Sequence, residues 1–263
     1  MKKRRTLSKV YLAVVLILMY SPIFYLIYYS FSSGETMDGF KHFSWIHYQA
    51  LFADTRMISI VLNTIIIALL AALISTVIGT SGALLIQKIK HRAWRQNVLV
   101  LNNILMVSPD VIIGASFLIF FTFLGIKLGF WSVLLSHIAF CIPIVVLMVL
   151  PKAKELPQSL TDAAFDLGAT RWQTFSQVTI PGIMDGIKAG FFMALTYSLD
   201  DFAVTFFVTG NGFSTLSVEI YSRARQGIDL EINALSTVMF LVSLVLVYIY
   251  YRFSVKPTPK GGR

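Results

Sequence analysis

The sequence predicts an all-α fold, a polytopic membrane bundle of six transmembrane helices, and three observations predict it. Of the 263 residues, 56% are hydrophobic and only 13% charged, with a mean hydropathy of +0.74, whereas soluble domains carry about a quarter charged residues. So few charges cannot coat a globule in water. Six runs, at 10–31, 58–86, 98–126, 131–150, 189–209 and 232–251, are long enough to match the ~20 apolar residues that span a bilayer as a helix. None of them contains Lys or Arg, and all 22 basic residues lie between or outside them. The runs are continuously apolar rather than alternating, which is the pattern of helices and not of barrel strands.

Taken in order, the basic start 1–9, with "MKKRR", leads into the run 10–31. That run is longer than a secretory core and no small-x-small cleavage site follows it, so it reads as a retained first helix and not as a signal peptide. The segment 32–57 is polar and aromatic, with Trp45 and Tyr48 expected at the membrane interface. Runs 58–86 and 98–126 carry Asn63, Asn102 and Asn103, polar positions expected on faces packed against other helices. Pro109 is expected to kink the run 98–126. The run 131–150 holds His137, which is either an uncharged packing residue or a cation within the membrane, and the single cysteine, Cys141, which excludes a disulfide framework. Run 189–209 follows the loop 151–188. Residues 210–231 are then expected to hold a short outer helix bearing Arg223 and Arg225. Run 232–251 and a tail at 252–263, ending "KPTPKGGR", complete the chain.

Charge sets the orientation. Seventeen basic residues fall in 1–9, 87–97, 151–188 and the tail, against five (Lys41, Arg56, Lys127, Arg223 and Arg225) on the other side. The positive-inside rule makes the richer side cytoplasmic, which places both termini inside, consistent with an even number of spans. The net charge of +9 is thereby explained by topology, with no nucleic-acid motif present.

The longest inner loop contains "TDAAFDLGATRWQTFSQVTIPG" at 161–182. Leu160, Ala163, Ala164 and Leu167 follow the i, i+3, i+4, i+7 spacing of one helical face, and Gly168 is a natural helix stop. Thr170 and Gln173 form a capping-box pattern that starts a second helix, with Trp172 and Phe175 on its apolar side and Pro181 expected to end it. The loop carries four basic and four acidic residues, whereas helices that lie on lipid are usually rich in Lys and Arg. Docking of a cytoplasmic protein therefore explains it better than adsorption to headgroups or simple capping of the bundle.

Asp162-Ala163-Ala164, Gly168 and Val178-Thr179-Ile180-Pro181 resemble the EAA loop of ATP-binding-cassette (ABC) importer permeases, with Asp where Glu is usual. The stretches "MVSPDVIIGAS", "LGFWSVLLSHIAFCIP" and "SLDDFAVTFFVTG" resemble the polyamine (spermidine/putrescine) permeases within that family. The resemblance implies a type I ABC importer permease (MetI-like) fold in the cytoplasmic membrane of a prokaryote. It implies that Asp162, Ala163, Ala164, Gly168 and Pro181 belong to the segment that couples to an ATPase. It also implies partners: a dimer of cytoplasmic ATP-binding subunits, a second homologous permease, and an extracellular or periplasmic substrate-binding protein that the outward loops contact. No cofactor is expected in this chain, and ATP and Mg are expected on the ATPase.

Three of the thirteen acidic residues, Asp110, Asp200 and Asp201, fall inside the apolar runs. At a rise of about 1.5 Å per residue, Asp110 lies roughly 18 Å from the inner end of a continuous helix, and Asp200 sits at a similar level. Each charged Asp at a helix centre costs about 2.5–3.5 kcal/mol on insertion scales. The acids are therefore protonated, face a watery pathway, pair with groups from outside the chain, or bond to helix ends. On a helix Asp200 and Asp201 project about 100° apart, so at most one points into a pore. In the pathway reading, substrate ammonium groups meet Asp110 and one of the pair, with Tyr197 and Phe202 offering cation–π contacts.

Catalysis needs a constellation that is missing. There is no HExxH, no Cys/His metal cluster and no GxxxxGK[ST] phosphate loop. The chain is thus expected not to be an enzyme, and any ATP hydrolysis belongs to another polypeptide. An ion-driven secondary transporter or cation channel stays open as the alternative to an ATP-driven polyamine permease, although it gives no reason for the Gly168 hairpin.

Overall fold

The computed structural model describes residues 2–227 and 229–254, and the expected tail beyond Ser254 lies outside the described residues. The chain is helical throughout: α1 (Lys2–Ser30), α2 (Ile46–Ala53), α3 (Thr55–Lys88), α4 (Arg92–Val107), α5 (Asp110–Phe123), α6 (Phe130–Glu155), α7 (Gln158–Asp166), α8 (Arg171–Thr174), a π-helical turn (Phe175–Thr179), α9 (Ile180–Gly182), α10 (Met184–Asp200), α11 (Ala203–Val208), α12 (Leu216–Gln226) and α13 (Leu230–Ser254). Extended pairing among the described residues is limited to one antiparallel bridge, Ser32 with Phe43. Four helices are long and apolar enough to cross a membrane, and up to six do so if each of two bent pairs is one span.

The bends correct the expected runs. The run 98–126 is two helices, α4 and α5, at 102° to each other. Proline disfavours the helical region for the residue before it and brings no N–H to the ladder. Ser108 and Pro109 accordingly sit at ψ 142° and 132°, and the helix restarts with Asp110 in its first turn, where an acid complements the N-terminal dipole. The depth expected for Asp110 presumed a continuous helix and does not hold across this turn. The run 189–209 is likewise interrupted: α10 ends at Asp200, and Asp201 is extended at φ −63°, ψ 121°. The two adjacent acids are therefore not arranged 100° apart on one helix.

Pro181 lies one residue before the end of the helical stretch Arg171–Gly182. It stands in the first turn of α9, and the chain widens ahead of it into the π turn, where the Ile180 N–H donates to Phe175 O five residues back. Such a turn is how a helix absorbs an extra residue. The chain then bends by 65° into α10.

The chain divides into two compact units. In the unit formed by Met1–Ser59 with Glu219–Val247, an aromatic cluster follows α1. Phe31 stacks on Phe43 at 5.3 Å between centroids and meets Trp45 and Tyr48 at 5.0 and 5.2 Å, while Ser30 Oγ and Tyr48 Oη share a 2.7 Å hydrogen bond. None of the apolar window of α1 is buried, so this helix relies on lipid or a partner to cover it. In the second unit α6 is the central element, with 67% of its apolar window buried and Val133, Val145 and Val149 fully enclosed. α10, α11 and α4 pack against it. α11 also lies on α5, and Gly114 makes that approach possible. A Cβ there would sit 2.7 Å from Phe207 Cδ2 and 3.1 Å from the backbone of Ala203 and Val204.

Candidate substrate pathway and coupling surface

The break at Pro109 and the end of α10 bring two of the expected pathway residues together. Tyr197 Oη donates a 3.1 Å hydrogen bond to Asp110 Oδ1, and Tyr197 is 40% exposed. Asp110 and Asp200 are both exposed, and neither forms an ion pair among the described residues. Asp200 is three residues past Tyr197, which places the two on neighbouring positions of one helical face.

Asp201 is used differently. Its side chain is 6% exposed, and its carboxylate caps α11: Oδ2 accepts from the Thr205 N–H at 2.8 Å and from Thr205 Oγ1–H at 2.7 Å, and Oδ1 accepts from the Val204 N–H at 3.4 Å. A carboxylate that satisfies the orphan donors of a helix start is the usual N-terminal arrangement. Of the alternatives open for the three acids, Asp201 thus takes the bond to a helix end. Ser217 Oγ–H, in turn, donates to the Asp201 carbonyl at 2.5 Å.

Next to Asp201 lies His137, 1% exposed. Its Nδ1 is 2.7 Å from Ser198 Oγ, its Nε2 is 2.8 Å from Thr205 Oγ1, and Nε2 is 3.6 Å from Asp201 Oδ2. The network assigns the protons. With Asp201 ionised, the single hydroxyl proton of Thr205 goes to Asp201, so Thr205 can only accept from His137, and Nε2 carries the ring hydrogen. In the neutral ring Nδ1 then accepts from Ser198. His137 thereby ties α6, α10 and α11 together. The sequence reading missed Ser198 and Thr205. The signal was available in part, since an Asp directly before the apolar run "FAVTFFV" is a helix-start pattern.

The coupling segment has the expected helix–glycine–helix form. α7 closes in a Schellman arrangement: the Ala169 N–H bonds to Ala164 O at 3.0 Å and the Gly168 N–H to Phe165 O at 2.9 Å. Gly168 adopts φ +82°, which a side chain would strain. Thr170 Oγ1 then accepts from the Gln173 N–H, and Gln173 Oε1 from the Thr170 N–H at 2.8 Å, completing the capping box of α8. Asp162 and Ala163 are exposed, and Gln158 Nε2 donates to Asp162 Oδ1 at 3.2 Å. Leu167 is 89% and Trp172 72% exposed. The apolar face marked by Leu160 and Leu167 is thus turned away from the rest of the chain, as a docking surface requires.

On α12 the two arginines part company. Arg223 bonds Glu219 Oε1 at 3.0 Å and Glu231 Oε2 at 3.1 Å and lies 3.7 Å from Asp54, while Glu219 Oε2 receives Arg56 at 2.8 Å. Partial burial lowers the Arg223 pKa, but the carboxylate hydrogen bonds outweigh it and hold the guanidinium above its ordinary value. Arg223 is thus committed within the chain, whereas Arg225 is exposed.

Comparison with known proteins agrees with this architecture. Residues 76–256 match the family described as binding-protein-dependent transport system inner membrane component. The chain is 33% identical over 241 residues to the spermidine/putrescine transport system permease protein PotC of Haemophilus influenzae, covering 92% of this chain and 93% of that protein. It is 33% identical over 228 residues to the putrescine transport system permease protein PotI of Escherichia coli, covering 84% and 81%. Among solved structures, a chain of a bacterial ABC transporter that imports the acidic polysaccharide alginate superposes with a TM-score of 0.73 at 19% identity, over 96% of both chains. A chain of the MetNI methionine ABC transporter superposes with a TM-score of 0.63 at 17% identity, over 76% of this chain and 97% of that one. With its several apolar helices, its exposed helix–glycine–helix segment and a family match across more than half its length, the chain belongs to the inner membrane components of binding-protein-dependent transport systems.

Proposed function

We propose that the chain is the permease subunit of an ATP-driven importer that takes up polyamines, spermidine or putrescine. The likeness to PotC and PotI over most of the chain supports the substrate class. The observation that carries the reading in this molecule is the exposed Asp110 carboxylate, held by Tyr197 at 3.1 Å and without an ion-pair partner among the described residues. A carboxylate at such a break is a ready site for an ammonium group, and Asp200 offers a second for the other end of a diamine. Asp201 shapes the break in this reading and does not bind substrate directly.

A pair of cytoplasmic ATPase subunits, binding ATP and Mg, docks on the α7–Gly168–α8 segment. A second permease completes the pathway, and a binding protein delivers substrate to the outer loops, where Arg225 is available. Both termini lie in the cytoplasm. In reconstituted complexes Asp110→Asn and Asp200→Asn should each lower polyamine uptake at least about tenfold, the effect of losing one charge-assisted contact of roughly 1.5–3 kcal/mol, while assembly is retained. Wild-type uptake in both variants would remove these acids from the pathway.

A further inference from the structure

The carboxyl-terminal half of α3 and the α7–α8 segment line an open cavity of about 930 Å³, within the range of roughly 300–1,000 Å³ typical of ligand pockets. The pathway residues do not line it, and although α7 and α8 contribute to its wall, the outward-turned Leu160, Leu167 and Trp172 of the proposed docking face are not among its lining residues. Val77, Leu84 and Leu85 form an apolar wall along α3. Three lining hydroxyls, Thr76 Oγ1, Thr80 Oγ1 and Thr174 Oγ1, are buried and make no hydrogen bond. Thr80 and Thr174 are only 7% and 4% exposed. Helical threonines elsewhere in the chain satisfy themselves on the carbonyl four residues back, as Thr64 does on Ile60 O at 2.8 Å and Thr196 on Phe192 O at 2.9 Å. Buried hydroxyls without partners are unfavourable, but these three are covered by the chain's own atoms, so what the cleft offers an occupant is its apolar wall and its charge.

Charge narrows the choice. Lys88, in the last turn of α3, and Arg171, at the start of α8, line the same cavity, which has no acidic residue in its lining. Neither cation forms an ion pair among the described residues. A polyamine is repelled by this lining, and a small soluble anion has no use for the apolar wall. An amphiphile with an anionic head and hydrocarbon beneath it matches both the charge and the apolar wall. Basic pockets at the cytoplasmic ends of membrane helices are where anionic headgroups bind. We propose that this cavity seats one anionic phospholipid, its phosphate toward Lys88 and Arg171 and its hydrocarbon against Val77, Leu84 and Leu85. The lipid braces the coupling segment against α3, so that membrane charge conditions the coupling of ATP hydrolysis to transport.

The test uses the assembled permease–ATPase complex in nanodiscs made from an equimolar mixture of phosphatidylglycerol and phosphatidylcholine, with retained lipid read by native mass spectrometry. A photoreactive residue at Leu85, which is 66% exposed, reports what touches the wall. The proposal expects selective retention of phosphatidylglycerol and a photoadduct to it. Lys88→Gln should weaken the retention about fivefold, the contribution of one basic residue near a headgroup. Lys88 is exposed and unpaired, so its variant should assemble normally. Equal retention of both lipids, retention unchanged in the Lys88 variant, displacement by inorganic phosphate, or a photoadduct to the second permease would each overturn it. The outcome is independent of which solute the complex carries.

Discussion

Asp110, Asp200 and Asp201 share a charge type and little else. Asp110 and Asp200 are exposed, whereas Asp201 is enclosed and holds the start of α11 through Thr205 and Val204. The three should therefore fail in different ways when changed. The neutral variants of Asp110 and Asp200 are expected to lose uptake and keep assembly. Asp201→Ala removes a cap and leaves buried donors unmatched, a loss of about 1–3 kcal/mol, so it should lower the melting temperature of the purified complex before transport is even measured. His137→Ala should act like Asp201→Ala, because it leaves Ser198 and Thr205 without their shared partner. If the combined variant were as destabilised as the sum of the singles, the two residues would not form one network. Glu219→Gln, which weakens the hold on both Arg56 and Arg223, should cost about 1–3 kcal/mol, read as faster hydrogen exchange across α12.

Two glycines decide how elements meet. At Gly168 the positive φ closes α7 and turns the chain into α8, so Gly168→Val strains the corner on which the proposed docking depends. ATP-dependent uptake should be lost and recovery of the ATPase in co-purification should drop, while the membrane helices stay folded by circular dichroism. At Gly114 the constraint is contact and not conformation: Gly114→Val pushes into Phe207 and the α11 backbone, with an expected overpacking cost of about 1–3 kcal/mol. These elements also show what could be read in advance. The α7–Gly168–α8 corner is specified locally, by a helix period, a glycine and a capping box, and it emerged as expected. The 102° turn at Pro109 was legible as a kink but not in size, because an X-Pro step permits a full turn only where tertiary packing, here α11 on α5, holds it. The division of labour between Asp200 and Asp201 was hidden for a similar reason. It depends on where α10 stops; Thr205 is close by in sequence, but His137, which joins Ser198 and Thr205, is more than sixty residues away.

At the scale of the molecule, the exposed α1 and the outward-turned apolar face of α7 and α8 describe a subunit built for company. The distribution of seventeen basic residues against five predicts the side on which that company is found. With the native Cys141 buried, a Leu167→Cys variant should react with an impermeant thiol reagent only after the cytoplasmic face is opened. Labelling in intact cells would invert the topology. The central claim, that this chain passes polyamines inward under the drive of a separate ATPase, is tested most directly by labelled spermidine and putrescine uptake in proteoliposomes containing the whole complex. The account predicts accumulation that requires ATP and the ATPase and that disappears in the Gly168→Val variant. Accumulation of equal extent without ATP, or with the ATPase omitted, would contradict it.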